Sequence, residues 1–307
     1  MRRVLLSPLV VAAAWFVVPA LLSPVAGQVF KSGVDLVIVQ ATVKDQEGRL
    51  VPGLAIDDFR IFEDGVEQRV LQFTGERVPV SLGIAVDVSD SMAGVRIVDA
   101  RRAIDRFVLS LLEEGDESFL MVFNHAPLLR SPWTRPPRGL AGRLDSVKPF
   151  GGTAIYDALV KAVPMFDKRR HERCGLLVIS DGADTASDAR LQDALRLINY
   201  SDAFVFAIAL DAPPGPAITS RFSPASLNEI TSQSGGYTEV IHESADLAGA
   251  TERIAAELNH QYTLAYAPSR QPDGRYHTIR VRTKNERYTV RSRRGFTHQR
   301  RTAGQTR

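Results

Sequence analysis

Hydrophobic and polar positions divide the chain into regions with different periods. The middle region contains four continuous apolar runs, which have the length of strands buried on both faces: Val80–Val88, Phe119–Phe123, Leu176–Ile179 and Ala203–Leu210. Apolar residues between the runs recur at spacings of three, four and seven, which is typical of amphipathic helices. These helical patterns begin at Ile97 and then fall near 153–167, 188–200, 224–233 and 244–259. Strands that alternate with helices predict an α/β fold, a doubly wound and mostly parallel sheet.

Alternating apolar and polar residues indicate β structure on both sides of this α/β region. On the N-terminal side, residues 34–44 are rich in β-branched residues, and Phe59–Glu63 runs into Asp64-Gly65, a hairpin signal with its partner strand expected over 68–73. On the C-terminal side, apolar residues alternate over 262–266 and again from Ile279. Because neither segment is large enough for much independent stability, we expect them to form one β-sandwich, into which the α/β domain is inserted.

The first residues have the pattern of an export signal. Met1-Arg2-Arg3 precedes an apolar stretch that ends in the small residues Val25-Ala26-Gly27, which predicts a secretory signal peptide cleaved before Gln28. An uncleaved anchor helix is the alternative, and the prolines near the end of the stretch disfavour it. We therefore expect a periplasmic or secreted protein. The predicted organisation is a signal peptide over 1–27, an N-terminal β unit over 28–76, an α/β domain over 77–260, a C-terminal β unit over 261–296 and a flexible tail over 297–307.

Composition excludes several classes of protein. Among 307 residues, 44% are hydrophobic and 24% charged, as in globular proteins, and an aromatic content of 7% offers no broad stacking platform, so no nucleic-acid partner is expected. The single cysteine, Cys174, excludes an intramolecular disulfide and a thiolate metal cluster, and it is predicted to be a core residue of a strand.

Charge is unevenly distributed along the chain. Residues 270–307 hold 12 Lys/Arg and 2 Asp/Glu, whereas the rest of the chain holds 26 basic and 33 acidic residues. An acidic body therefore precedes a basic C-terminal segment. The basic strand face at Arg280, Arg282 and Lys284 is either simply solvated or a contact for an anionic surface.

Oxygen-bearing side chains follow the ends of two predicted strands and open one predicted helix. In open α/β sheets, ligands bind outside the carboxyl ends of the strands. Hydroxyl and carboxylate oxygens suit hard divalent cations, and only two carboxylates leave such an ion incompletely neutralised, with an open position for an external anion. The candidate ligands are Asp87, Ser89, Ser91, Thr153 and Asp181.

The order of these residues resembles the metal-ion-dependent adhesion site of von Willebrand factor type A domains. Asp-x-Ser-x-Ser begins at Asp87, Gly-Gly-Thr occupies 151–153 and Ser-Asp-Gly occupies 180–182. The resemblance covers about 78–258, and the β segments resemble those of exported bacterial members of this superfamily, through Glu63-Asp64-Gly65 and Arg293-Arg294-Gly295-Phe296.

This resemblance implies a bound Mg²⁺, or Mn²⁺ or Ca²⁺ in its place. It implies that the hydroxyls of Ser89, Ser91 and Thr153 are ligands, and that Asp87 and Asp181 often act through water. It also implies a protein partner whose Asp or Glu carboxylate completes the metal sphere.

Simpler interpretations remain for several residues. Asp87 and Ser89 could instead cap the following helix, since Asp and Ser are favoured there. Asp184 and Asp188 are expected to be surface and helix-start residues, with a second acidic shell as the alternative. His125 is expected on an exposed loop, with contact at the rim of the site as the alternative.

The favoured function is an exported, divalent-metal-dependent binding or adhesion module that is not an enzyme. The alternatives are a metal-assisted hydrolase at the same sheet edge and a structural envelope scaffold with a relic metal site. Ser91 lacks the leading glycine of a Gly-x-Ser-x-Gly elbow, and Asp87 does not begin an Asp-x-Asp motif. Both observations disfavour hydrolase chemistry.

Overall fold

The computed structural model describes residues 36–135, 139–211 and 224–298. The predicted signal peptide lies outside these residues. The described part contains the strands β1 (Val37–Lys44), β2 (Phe59–Glu63), β3 (Val66–Gln68), β4 (Val70–Thr74), β5 (Val80–Asp87), β6 (Glu117–Phe123), β7 (Pro127–Thr134), β8 (Arg173–Ser180), β9 (Phe204–Leu210), β10 (Thr238–Ile241), β11 (Tyr262–Tyr266), β12 (Tyr276–Thr283), β13 (Thr289–Ser292) and β14 (Gly295–Thr297). Its α-helices are α1 (Val95–Leu111), α2 (Ile155–Ala162), α3 (Leu191–Tyr200), α4 (Pro224–Ser234) and α5 (Leu247–Asn259).

Six strands form the central sheet in the order β10-β9-β8-β5-β6-β7. All are parallel except β7, which pairs antiparallel with β6 at the edge. Every residue of β5, β6, β8 and β9 is buried, which explains why these strands are continuous apolar runs. The apolar sides of α1 and α5 pack on one face of the sheet, and those of α2, α3 and α4 pack on the other. The predicted doubly wound α/β fold is therefore confirmed.

Strands from the N-terminal and C-terminal segments combine in two further sheets. One has the order β13-β1-β11-β4 and the other has the order β14-β12-β2-β3. Val39 pairs with Leu264 in the first sheet, and Ile61 pairs with Val281 in the second. Side chains of both sheets share one apolar cluster, as in a β-sandwich. The predicted insertion of the α/β region between two cooperating β segments is thus observed, while the modular stability implied by the domain boundaries stays a prediction.

The structure differs from the sequence-based expectations in three local features. The strand expected over 68–73 is divided: β3 pairs with β2, whereas β4 crosses to the other sheet and pairs with β11. The C-terminal segment forms four strands, β11 to β14, of which the alternation indicated only the stretches over 262–266 and from Ile279. The expected loose tail is wrong at Thr297 and His298, because Thr297 pairs with Tyr276 and His298 is buried. A three-residue strand such as β14 is too short for its alternation to be visible in the sequence.

An ion-paired cluster joins the C-terminal segment to the α/β region. Asp202, which follows α3, accepts hydrogen bonds from Arg293 and from Arg169, each over 3.0 Å. The Arg293 side chain is only 6% exposed. Such an enclosed guanidinium needs a carboxylate partner, so Asp202 ties together elements that are distant in sequence.

No helix among the described residues is long and apolar enough to cross a lipid bilayer.

Candidate metal-binding site

The carboxyl ends of β5 and β8 lie side by side in the central sheet. These strands are parallel neighbours, and Val86 pairs with Ile179, so Asp87 and Asp181 leave the sheet at the same edge. Both side chains are buried, with Asp87 fully enclosed and Asp181 4% exposed. The sequence-based expectation that two carboxylates meet at one sheet edge therefore agrees with the described structure.

Backbone hydrogen bonds hold the Thr153 loop against both strand ends. Asp90 N–H donates to the Gly151 carbonyl over 2.9 Å, which ties the loop to the β5 end. Thr153 N–H donates to Thr185 Oγ1 over 2.9 Å, and the Thr153 carbonyl accepts the Thr185 N–H over 2.8 Å. Thr153 is thus clamped between the segments that carry Asp87 and Asp181.

Gly151 is needed at the turn of this loop. Its φ is +77°, and a β-carbon at this position would come within 2.9 Å of His125 Nδ1. Any other residue would meet backbone strain, and the exposed His125 ring would have to shift to make room for its β-carbon. The His125 ring is exposed and packs edge-on against Phe150, with 5.5 Å between ring centroids. His125 therefore lies on an exposed loop beside Gly151, as expected, while contact with a group bound at the site stays a prediction.

Asp87 is held by hydrogen bonds on both carboxylate oxygens. Oδ1 accepts the Ser89 N–H over 2.8 Å, and Oδ2 accepts the Ser180 hydroxyl over 2.7 Å. Burial, with the nearby Asp181 charge as a smaller contribution, raises the pKa of Asp87 to about 7 although these hydrogen bonds oppose the shift. A cation beside this carboxylate would favour its charged form again.

Two serine hydroxyls continue the oxygen-rich surface from Asp87 toward solvent. Ser89 Oγ lies 3.0 Å from Ser91 Oγ, and Ser89 is buried whereas Ser91 is exposed. Neither Asp87 nor Ser89 caps a helix: the residue that precedes α1 is Gly94, and Ser89 makes no capping hydrogen bond to the short 3-10 helix over 90–92. The capping alternative for these residues is wrong.

Sequence reasoning missed Arg96, which enters this site from the first turn of α1. Its guanidinium donates to Asp181 Oδ2 and to the Ser91 carbonyl, each over 2.8 Å. Arg96 is 9% exposed, so this is a buried charge pair. A positively charged side chain in the first turn of a helix is unfavourable, because the helix N-terminus is itself positive. The position of Arg96 in the sequence therefore indicated that it needs a carboxylate partner.

The acidic residues beyond Asp181 have structural roles. Asp184 Oδ1 accepts the Ile155 N–H over 2.8 Å and the Ser187 hydroxyl over 2.6 Å, so it holds the start of α2. Asp188 is exposed in the segment that precedes α3. These positions agree with their prediction as loop and helix-start residues.

The donor set fits a divalent cation. Asp181 Oδ1 is buried and accepts no hydrogen bond, so one oxygen of the pair still lacks a donor or a cation. The surrounding groups are hydroxyl and carboxylate oxygens, which are the ligands that Mg²⁺, Mn²⁺ and Ca²⁺ prefer. The one departure is Arg96, which already supplies Asp181 with a positive charge.

The basic face of β12 is a separate surface feature. Arg280 and Arg282 are exposed, and neither forms an ion pair among the described residues. Arg282 lies over the Phe62 ring, with 5.8 Å from its guanidinium carbon to the ring centroid. A cavity of about 600 Å³ opens here, and it is lined by Phe62, Gly65, Thr278, Ile279, Arg280, Arg282 and Arg294.

Comparisons with solved structures identify similar folds. BatB from Bacteroides thetaiotaomicron is 22% identical, with a TM-score of 0.50 over 58% of this chain and 98% of that chain. A von Willebrand factor type A protein from Catenulispora acidiphila is 14% identical, with a TM-score of 0.51 over 88% of this chain and 75% of that chain. Proximal thread matrix protein 1 from the mussel byssus, solved with a zinc-occupied MIDAS motif, is also 14% identical, with a TM-score of 0.51 over 69% of this chain and 50% of that chain.

Comparison by sequence gave one match, to a family model. No curated protein sequence matched the chain. The family model for the von Willebrand factor type A domain matches residues 82–183, which begin within β5 and end just after Asp181. This segment is therefore similar in sequence to a von Willebrand factor type A domain, and the six-stranded sheet that contains it has the fold of such a domain.

Proposed function

We propose that this protein is an exported binding or adhesion module, which captures a carboxylate of a protein partner at a divalent cation held beside Asp87 and Asp181. The observation that carries the proposal is the buried, unsatisfied Oδ1 of Asp181 within a cluster of hydroxyl and carboxylate oxygens. The mussel byssus protein, whose fold is similar, was solved with a zinc-occupied MIDAS motif, and this supports a cation at the corresponding sheet edge.

The residues proposed to hold the cation are Asp87, Ser89, Ser91, Thr153 and Asp181. Of these, Ser91 is exposed and the other four are buried, so the site opens to solvent on the Ser91 side. When bound, the cation supplies positive charge and a coordination position for an external ligand.

Charge balance favours an anionic partner. Asp87 and Asp181 supply at most two negative charges, and Arg96 offsets one of them through its 2.8 Å contact with Asp181. A divalent cation would therefore leave the whole site net positive. An Asp or Glu side chain of a partner is the matching group, and exclusion of water around it would strengthen the attraction.

Arg96 is proposed to set the cation affinity. The Arg96 guanidinium and a metal ion would compete for the charge of Asp181, and the affinity should be modest as a consequence. The oxygen donors alone would predict a higher affinity for the cation, because they do not include this competition.

Export of the protein remains part of the proposal. The sequence pattern over 1–27 is that of a secretory signal peptide, which would place the binding site in the periplasm or outside the cell, where divalent cations are available.

The hydrolase and the scaffold are the alternatives that the experiments must separate. A hydrolase needs a general base or a nucleophile within reach of the metal. Among the described residues, His125 is a candidate beside the Gly151 turn, yet it is exposed and packs on Phe150. Hydrolysis of ester or phosphate substrates that is lost in His125→Ala would favour the hydrolase, and absence of any cation binding would favour the scaffold.

Cation binding is tested by calorimetric titration with Mg²⁺ and Mn²⁺ on the wild type and on Asp87→Ala and Asp181→Ala. We expect both variants to lose the binding. Circular dichroism checks that they fold, because Asp87 is the buried last residue of β5 and Asp181 pairs with the buried Arg96. Asp90→Ala is the matched control: Asp90 lies in the same loop but its side chain is exposed, so its removal should leave binding intact. Equal Mg²⁺ binding in all four proteins would contradict the proposed site.

A further inference from the structure

A second group of metal-ligand side chains lies in the β-sandwich. Glu63 ends β2, Asp64 follows it in the turn, and His277 lies on the neighbouring strand β12, where Asp64 N–H donates to the Thr278 carbonyl. One ligand atom from each of Glu63, Asp64 and His277 lies within 4.8 Å of the other two. The three side chains thus converge although 213 residues separate Asp64 from His277.

The imidazole of His277 is oriented by carboxylates on both sides. His277 is 2% exposed, its Nδ1 lies 2.8 Å from Asp64 Oδ2, and its Nε2 lies 3.1 Å from Asp273 Oδ1. Histidines that bind a metal through one nitrogen commonly donate the other N–H to a carboxylate, which fixes the ring. Asp273 is in the position to do this while Nδ1 faces Asp64.

A buried carboxylate oxygen of Glu63 without a partner is the independent observation that points to a cation. This residue is 3% exposed, and its Oε2 is buried without a hydrogen-bond partner. No Lys or Arg among the described residues forms an ion pair with it. Glu63, Asp64 and Asp273 together carry up to three negative charges, against at most one positive charge on His277. A buried carboxylate in such a setting is costly unless a cation or a proton satisfies it.

Two further polar groups border the cluster and are also unsatisfied. His298 is 6% exposed, neither of its ring nitrogens has a hydrogen-bond partner, and its ring centroid lies 6.3 Å from that of His277. The buried Tyr266 hydroxyl has no partner at normal hydrogen-bond distance, and burial, followed by the charge of Glu63 and a side-chain hydrogen-bond interaction with it, raises the pKa of Tyr266. Unsatisfied polar atoms are uncommon in native interiors, so those at Glu63 and at His298 beside His277 need a cause.

We propose that Glu63, Asp64 and His277 form a second metal site, which binds a divalent transition-metal ion such as Zn²⁺. Imidazole with carboxylates is a donor set that suits zinc, whereas Mg²⁺ prefers oxygen ligands alone. The site is thereby distinct from the oxygen-only cluster at Asp87 and Asp181. Asp273 is a positioning residue that holds the His277 ring.

The consequence of this site is a metal cross-link between the two β segments. Glu63 and Asp64 belong to the N-terminal segment, and His277 belongs to the C-terminal segment. An ion that binds only when these strands are paired stabilises the folded chain by mass action. Zn²⁺ should therefore raise the melting temperature even when the Asp87 site is disabled.

The test uses the full chain carrying Asp87→Ala and Asp181→Ala, so that the first site cannot contribute. Calorimetric titration with Zn²⁺ should show one site, and X-ray absorption at the zinc edge should show nitrogen and oxygen ligands with His. Adding Glu63→Gln, which keeps the shape but removes the charge, should weaken zinc binding by at least tenfold. His277→Gln should abolish the binding, and Asp273→Asn should weaken it by about 10–100-fold.

His242→Gln is the matched control. His242 Nδ1 pairs with Asp211 over 2.9 Å, but this pair is exposed and has no third ligand in the described structure. This variant should bind zinc like its parent. Absence of a zinc site in the double-aspartate background, or equal zinc affinity in Glu63→Gln and its parent, would overturn the proposal. Neither result depends on Mg²⁺ binding at Asp87, so the experiment tests the zinc site independently of the proposed function.

Discussion

Arg96 donates a hydrogen bond to Asp181 Oδ2 over 2.8 Å, and both side chains are buried beside the candidate metal ligands. The same guanidinium nitrogen donates to the Ser91 carbonyl. The Arg96 guanidinium thus already places a positive charge beside Asp181, the carboxylate that a bound cation would contact. Cation binding at this edge must occur in the presence of that positive charge, and this distinguishes the site from a set of oxygen donors alone.

The first prediction follows from this contact. Arg96→Gln should raise the affinity for Mg²⁺ by about tenfold or more, because two charges about 4 Å apart interact by several kcal/mol at a protein surface. Calorimetric titration measures the change. Arg102→Gln is the control, since Arg102 lies on the same helix with a 69% exposed side chain. Unchanged Mg²⁺ affinity in Arg96→Gln would mean that Arg96 does not compete for Asp181.

The second prediction separates the role of Thr153 from that of the carboxylates. Thr153→Ala should weaken binding of an acidic peptide by about tenfold and weaken Mg²⁺ binding less, because the hydroxyl carries no charge. Thr153→Ser retains the hydroxyl and should restore peptide binding. Equal losses for Mg²⁺ and for the peptide in Thr153→Ala would contradict this separate role.

Much of this architecture could be predicted from periodicity. The strands β5, β6, β8 and β9 are buried on both faces, so they are visible as continuous apolar runs. The edge strand β7 was missed because its residues are partly exposed and include prolines.

The contacts that define the chemistry were less accessible to sequence reasoning. Asp87, Thr153 and Asp181 could be assigned to one edge of the sheet from the sequence, because the carboxyl ends of parallel strands meet at the same edge. Arg96 and its contact with Asp181, 85 residues later, depend on how α1 packs on the sheet. The meeting of Glu63 and His277 depends on pairing between distant β segments, which alternation alone does not specify.

The third prediction concerns the single thiol. Cys174 is fully buried in β8, and burial raises the pKa of its thiol to about 12. A disulfide reagent should therefore react with it only in denaturant, and native protein at pH 8 should show less than one-hundredth of the unfolded rate, by order of magnitude. Fast labelling of native protein would show that the central sheet opens readily.

The same thiol gives a pH dependence of stability. The folded-state pKa lies above the usual value of 9.0, so only the unfolded chain releases the proton between these values. The contribution of Cys174 is fully present below about pH 9, and the free energy of unfolding should fall as the pH rises from there toward 12. Cys174→Ala should reduce this slope in denaturant titrations, and an identical slope would contradict the assignment.

The fourth prediction concerns the Asp202 cluster. Asp202→Ala should lower the free energy of unfolding by about 3 kcal/mol, because it leaves the buried Arg293 guanidinium without its carboxylate. Urea denaturation measures this loss. Glu67→Gln is the control: Glu67 and Arg60 are each 49% exposed, and removal of such a surface pair should cost about 0–1 kcal/mol. Similar losses in both variants would show that burial does not strengthen the Asp202 contacts.

Carboxylate capture at the Asp87 and Asp181 edge is tested most directly by a surface-binding assay with a displayed peptide library. Each acidic peptide is compared with its Asn or Gln counterpart, in Mg²⁺ and in EDTA, on the wild type and on Asp87→Ala. The account predicts capture of acidic peptides by the wild type in Mg²⁺ only, with the amide counterparts, EDTA and Asp87→Ala each removing it. Capture that persists equally in EDTA would contradict the account and would direct attention to the basic face at Arg280, Arg282 and Lys284.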